Sequence, residues 1–223
     1  MPNVTYQPIY SWAQYCPWLD DKKFMEIYEA VKEHTLLDIY RCYELWDLVR
    51  QTRYLHGSLL EVGVWRGGSG MIMAKAVAKL ETFEKKVLLC DTFTGLVDVS
   101  EKDGMLQNGQ FSDTSTGIVL GLMNKVKLEN IVILPGTFPN ETGKIIENLE
   151  FCFCHIDVDT YQSAKNIFEW VWPRMVTDGI IVFDDYGFRE CGGVTEFVNE
   201  IRYGIDRLFL YNLNGHAIII KQL

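Results

Sequence analysis

Five unbroken apolar runs constrain what this chain can become: LLEVGVW (59–65), KVLLCDTF (86–93), NIVILPG (130–136), EFCFCHID (150–157) and DGIIVFDD (178–185). Each is short for a helix and lacks the alternation of a strand with one wet face. Each therefore reads as a strand covered on both sides. Between them lie stretches with helical spacing: GGSGMIMAKAVAKLETF (67–83), TGIVLGLMNKVKL (116–128), NETGKIIENL (140–149), QSAKNIFEWVWPRM (162–175) and GGVTEFVNEIRYGI (192–205). Asn140 or Thr142 supplies an N-cap for the third, and Pro173 ends the fourth. Strands alternating with helices give a mostly parallel sheet with helices on both faces. The tail RLFLYNLNGHAIIIKQL adds two apolar runs around Asn214-Gly215, a hairpin signal. The expected fold is α/β, a doubly wound, mostly parallel seven-stranded sheet with a C-terminal antiparallel hairpin, in one domain over 1–223. Residues 1–52 form an N-terminal arm followed by a helical pattern from Lys22 to about Thr52. The polar stretch 97–115 is a candidate lid loop.

Composition narrows the function. A net charge of −9 disfavours a partner that presents a phosphate backbone, so no nucleic acid is expected. No apolar run approaches the roughly 18 residues of a membrane span, and the N-terminus lacks the pattern of a signal peptide. A cytoplasmic protein is expected. Its six cysteines, Cys16, Cys42, Cys90, Cys152, Cys154 and Cys191, read as reduced thiols. Cys152 and Cys154, two apart, are expected on one strand face. The arm aromatics Tyr6, Tyr10, Trp12, Tyr15 and Trp18 pack on the core or on a second copy, and a homo-oligomer is expected.

Sheets of this kind bind ligands beyond the carboxyl ends of their strands. Those ends are where the polar residues collect. Glu61 lies in the first run, and Gly63 and Gly67 lie in the turn after it, where a missing Cβ allows close backbone approach. The G-x-x-x-G spacing is not the G-x-G-x-x-G of dinucleotide folds, and no Walker lysine follows. Asp91 ends the second run, where a carboxylate binds a ribose diol or caps a turn. Asp157 and Asp159 follow the fourth run, and Asp184 and Asp185 follow the fifth.

Taken in order, LLEVGVWRGGS, CDTFTGL, ILPGTFPNE, HIDVDTYQSA and GIIVFDDYGF resemble the macrocin O-methyltransferase family over roughly residues 35–200. The D-x-D-x-Y and later D-D-Y pairing is the specific part. The resemblance implies a class I, Rossmann-like methyltransferase that uses S-adenosylmethionine and a divalent metal, usually Mg2+, to methylate a sugar hydroxyl. Carried over by motif, Asp157, Asp184 and Asp185 hold the metal. Glu61, Gly63, Arg66 and Gly67 contact the cofactor, with Asp91 on the ribose.

Physical chemistry supports the acidic cluster independently. Magnesium takes oxygen ligands, adjacent parallel strands are about 4.8 Å apart, and clustered carboxylates without a cation have raised pKa values. Asp157 or Asp159 is the candidate base. The acceptor is a small-molecule hydroxyl, with a sugar or glycoside favoured. The rivals are a catechol-type methyltransferase, a non-catalytic nucleoside-binding protein, and an NAD-dependent oxidoreductase that lacks the expected glycine spacing. His155 is a structural hydrogen-bonder or a second base. Tyr161 and Tyr186 pack the site or touch substrate. Ser112, Asp113 and Thr114 touch adenine or form a plain turn.

Overall fold

The computed structural model describes residues 4–8, 10, 12–78 and 85–223. Two helices, α1 (Lys22–Val31) and α2 (Ile39–Gln51), precede the sheet. The expected helical pattern divides into two because Asp38 starts the second helix. Its carboxylate accepts hydrogen bonds from the backbone N–H groups of Tyr40 and Arg41. Asp21 caps α1 in the same way and also accepts from Trp46 Nε1 at 3.0 Å, which ties the two helices together.

The strands are β1 (Ser58–Val62), β2 (Val87–Asp91), β3 (Ile131–Pro135), β4 (Phe151–Ile156), β5 (Met175–Phe183), β6 (Arg207–Tyr211) and β7 (Ala217–Lys221). They form one sheet in the order β3-β2-β1-β4-β5-β7-β6, parallel except for β7. The helices between them are α3 (Gly68–Val77), α4 (Thr116–Val126), α5 (Tyr161–Val171) and α6 (Gly192–Ile201). Helices α1 to α4 cover one face around Phe24, Leu45, Met71 and Val119, and α5 and α6 cover the other around Ile167 and Phe197. This is the expected doubly wound sheet.

Four details depart from the sequence reading. The segment 140–149 makes only a 3-10 turn, Gly143–Ile145, and Thr142 gives it no side-chain cap; one turn is too short to repay helix nucleation. Strand β5 begins earlier than expected, at Met175. The β6–β7 hairpin turns through five residues, Asn212 to His216, instead of two. Cys152 is skipped in the register between Phe151 and Phe153, so this bulge puts Cys152 and Cys154 on opposite faces. The far end of the helix expected over 67–83 lies outside the described residues.

The core fixes where the strand ends meet. Glu61 is opposite His155, and Ile156 is opposite Phe183. Asp157 and Asp184 therefore emerge side by side, their N–H groups bonded to Val62 O and Ile156 O, each at 2.9 Å. Gly63 has φ +88°, and a Cβ there would overlap the carbonyl oxygen of Asp157. Gly63→Ala is expected to lower unfolding stability by roughly 3 kcal/mol in a urea titration; a loss below about 1 kcal/mol would show that the β1 and β4 ends are looser than described.

Candidate functional site

A cleft opens along the carboxyl ends of β1, β2, β4 and β5. Its lining runs from Gly63, Trp65 and Asp91 on one side to Asp157, Asp159, Asp184 and Asp185 on the other. The first half is built from backbone. Asp91 Oδ2 accepts from Val64 N–H at 2.7 Å and Trp65 N–H at 2.9 Å, and Oδ1 accepts from Phe93 N–H at 2.6 Å. The carboxylate at the end of β2 thus shapes the turn after β1 while still facing the cleft. Gly67, at φ +91°, opens α3.

Glu61 and Arg66 do not line the cleft. Glu61 is fully buried behind the turn, with Oε1 2.9 Å from His155 Nδ1. His155 is thus a buried hydrogen-bonding partner. Arg66 reaches outward to Asp113, donating to Oδ2 at 2.6 Å and to its carbonyl at 3.0 Å. Trp65 Nε1 donates to Asp113 Oδ1 at 2.8 Å, and Thr114 Oγ1 donates to the Trp65 carbonyl. Asp113 and Thr114 therefore anchor the 97–115 loop to the β1 turn. Its other half is held by buried Asp103, which accepts from Tyr161 N–H at 2.7 Å at the start of α5. The tyrosines pack: Tyr161 OH bonds Glu200 and Tyr186 OH bonds Asn199, both at 2.9 Å. In the arm, Tyr10, Trp12 and Tyr15 are exposed, whereas Trp18 packs edge-on against Tyr40.

The second half of the cleft is acidic. Asp157, Asp184 and Asp185 offer oxygens within 4.8 Å of one another. Asp159 and Asp185 both take positive φ, 59° and 65°, a conformation Asp tolerates better than most residues. Charge is distributed unevenly. Burial, then Asp184 and the other acids, holds the Asp157 carboxyl well above the usual range, and Asp185 is raised by burial and by Asp159 and Asp184. Burial lifts Asp159 to about 6 against the hydrogen bond from Cys191. For Asp184 burial is outweighed by His216 and Arg41, and its pKa falls to about 2.

The groups that stabilise Asp184 were not singled out from sequence. Arg41 Nη1 donates to both its oxygens at 2.8 and 2.6 Å, and His216 Nε2 lies 3.1 Å from Oδ1. His216 Nδ1 sits 2.6 Å from Glu44 Oε2. Arg41 and Glu44 are one turn apart on α2, so that helix supplies part of the site. The available signals were a histidine opening the apolar run HAIII and an arginine beside the buried stripe Cys42, Leu45, Val49. Cys191 was also read only as a buried thiol; it donates to Asp159 Oδ1 at 3.4 Å.

Comparison with known proteins adds kinship to this geometry. A family model described as Macrocin-O-methyltransferase (TylF) matches residues 31–206. A rhamnosyl-tetracenomycin-C 4'-O-methyltransferase of Streptomyces olivaceus is 24% identical over 163 residues, 67% of this chain and 60% of that protein. Demethyldecarbamoylnovobiocin O-methyltransferase of Streptomyces niveus is 25% identical over 186 residues, 78% of this chain and 69% of its own length. The chain thus spans about 60% of the first of these relatives. The solved structure of the O-methyltransferase NovP superposes with a TM-score of 0.73 at 22% identity, covering 85% of this chain and 83% of that one.

The raised carboxylates predict a pH dependence. A carboxyl whose folded pKa lies above its unfolded value contributes stability below the unfolded value, and this is lost as pH rises through the folded one. For Asp159 that window runs from the ordinary carboxyl value of 3.8 to about 6. With a chelator present, the melting temperature is expected to be roughly 5 °C higher near pH 5 than near pH 8. A chelated protein that melts lower near pH 5 would contradict the burial assigned to this cluster.

Proposed function

The chain belongs to the macrocin O-methyltransferase family, and from that premise we propose that it methylates a hydroxyl of a small glycosylated molecule, using S-adenosylmethionine and a divalent cation. The observation that carries the reading is one cleft with two halves, a backbone-built pocket over β1 and β2 and a cluster of under-compensated carboxylates over β4 and β5. The relatives' names support the acceptor class, since one is named for a rhamnosyl-bearing substrate.

The residues fit both groups. Asp185 Oδ2 is buried without a hydrogen-bond partner, as a ligand atom awaiting a cation would be. Asp157, Asp184 and Asp185 form an all-oxygen set, which suits magnesium. On the cofactor side, the Gly63–Trp65 turn and Asp91 offer close backbone approach and a carboxylate edge for a ribose diol, and Gly67 supplies the positive φ with which α3 begins. When bound, the cofactor supplies an electrophilic methyl group, and the cation supplies positive charge that acidifies an acceptor hydroxyl.

The chain's own residues do the rest. Arg41 keeps Asp184 anionic and fixed in direction. The Asp157–Asp159 pair provides the proton acceptor, and a carboxylate with a pKa of about 6 is suited to that task near neutral pH. Leu36, Phe111 and Phe188 line the cleft and remain partly exposed, an apolar margin for the part of the acceptor that does not react.

Calorimetry with S-adenosylhomocysteine and with NAD, with Mg2+ and then with chelator, tests the cofactor. Binding of the first and not the second is expected. Asp157→Asn and Asp184→Asn should each lower turnover of a glycoside acceptor by about 100-fold or more, with circular dichroism unchanged. Near-normal turnover in either folded variant would remove that residue's role.

A further inference from the structure

The chain just after the acidic pair walls a second recess. Phe188 N–H bonds Asp185 O at 3.1 Å, Tyr186 N–H bonds Gly215 O at 2.9 Å and Gly187 N–H donates to Thr195 Oγ1 at 3.0 Å. The segment is thus pinned to the β6–β7 turn and to α6. Beside it lies a groove of about 810 Å3, with arm residues 4–8 forming part of its wall. Phe188 lines both this groove and the acidic cleft, so the two spaces meet at one side chain. A turn of this kind brings its ends within about 7 Å of each other. The groove therefore begins one turn away from Asp185.

The charge of the groove is opposite to that of the cleft. The chain carries 30 acidic and 21 basic residues. Yet among the described residues the charged side chains lining the groove are Arg189 and Arg202, with no carboxylate. The acids of α6 are turned elsewhere, Glu196 to Lys102 at 2.6 Å and Glu200 to Tyr161 OH at 2.9 Å. Other polar groups in the wall are matched: Tyr186 OH donates to Asn199 Oδ1, and the Thr195 hydroxyl accepts from Gly187. The arginines retain free donors. Neither has an ion-pair partner among the described residues. Arg202 borders the Tyr186 hydroxyl on one side, and its Nε is buried without a hydrogen-bond partner. Each guanidinium lies over a tyrosine face, Arg189 5.7 Å from the Tyr6 ring and Arg202 4.6 Å from the Tyr203 ring. Stacking of this kind holds a guanidinium in place and leaves its N–H edge available. A buried donor left unpaired is costly, and the group that best satisfies such forks is an oxyanion.

Resting on the methyl-transfer reading, we propose that this groove holds an oxyanion, phosphate or carboxylate, carried by the acceptor beside the sugar whose hydroxyl reacts. Phe188 separates the two ends of such a molecule. The hydroxyl end sits over the carboxylates, and the anionic end meets Arg189 and Arg202. Tyr6 and Tyr211 supply aromatic faces for whatever ring or apolar portion adjoins the anion. Specificity then comes from the arginines, which favour an anionic acceptor over a neutral glycoside of the same size.

The test is calorimetry in chelator, so that no cation bridges an anion to the carboxylates. Binding of S-adenosylhomocysteine is recorded first and brought to saturation, which fills the cofactor pocket. The probes are then uridine diphosphate glucose for phosphate, 4-nitrophenyl glucuronide for carboxylate and 4-nitrophenyl glucoside as the neutral counterpart. At least one anionic probe is expected to bind about tenfold or more tightly than the glucoside, and more weakly as salt rises. Which one binds identifies the oxyanion. Arg189→Gln and Arg202→Gln should each weaken that probe by about tenfold and leave the glucoside and S-adenosylhomocysteine unaffected. Arg189 is exposed, so its variant carries the test if Arg202→Gln misfolds. Equal binding of all three probes, no binding of either anionic probe, or an advantage that survives both substitutions would overturn the proposal. Retained S-adenosylhomocysteine binding in those samples leaves the methyl-transfer reading standing, and its loss strikes that reading separately.

Discussion

Four carboxylates gathered at the ends of two neighbouring strands repel one another and cannot all remain anions at little cost without countercharge. Asp184 has that countercharge from Arg41 and His216, both buried, and stays ionised. Among the described residues Asp157, Asp159 and Asp185 have no ion-pair partner, and burial pushes them toward the protonated form. This asymmetry organises the site. One acid is fixed by the protein, and three are left to respond to an ion, a proton or a substrate. It also ties α2 to the sheet, because Arg41 on that helix reaches Asp184 and Glu44 reaches His216.

The sheet was legible in the sequence because its strands are buried on both faces and therefore read as unbroken apolar runs. The acidic pairs were legible because charge at the end of such a run is rare. Register then brings them together: Ile156 pairs with Phe183, so the residues that follow emerge as neighbours. Gly63 and Asp91 were each legible at the end of a strand. What joins them is a carboxylate accepting three backbone N–H groups, which no pattern of side chains shows.

The less legible parts depend on contacts between residues far apart in the chain. Arg41 and Asp184 are 143 positions apart, and Glu44 and His216 are 172 apart. Each looks ordinary in its own segment. Arg66 and Glu61 lie in the right motif, but a side chain's direction depends on its partners, and theirs are Asp113 and His155. The 140–149 segment has helical spacing but only enough local support for one turn. The Cys152 bulge inverts a face because one residue falls out of register, which periodicity cannot reveal.

The 97–115 loop, a candidate lid in the sequence, is held at two points, by Asp103 to the start of α5 and by Asp113 to the β1 turn. Exposed Leu36 and Phe188 line the cleft beside the carboxylates, and exposed Phe111 lines it from the loop, so what sits over β1 and β2 and what sits over β4 and β5 share one continuous space.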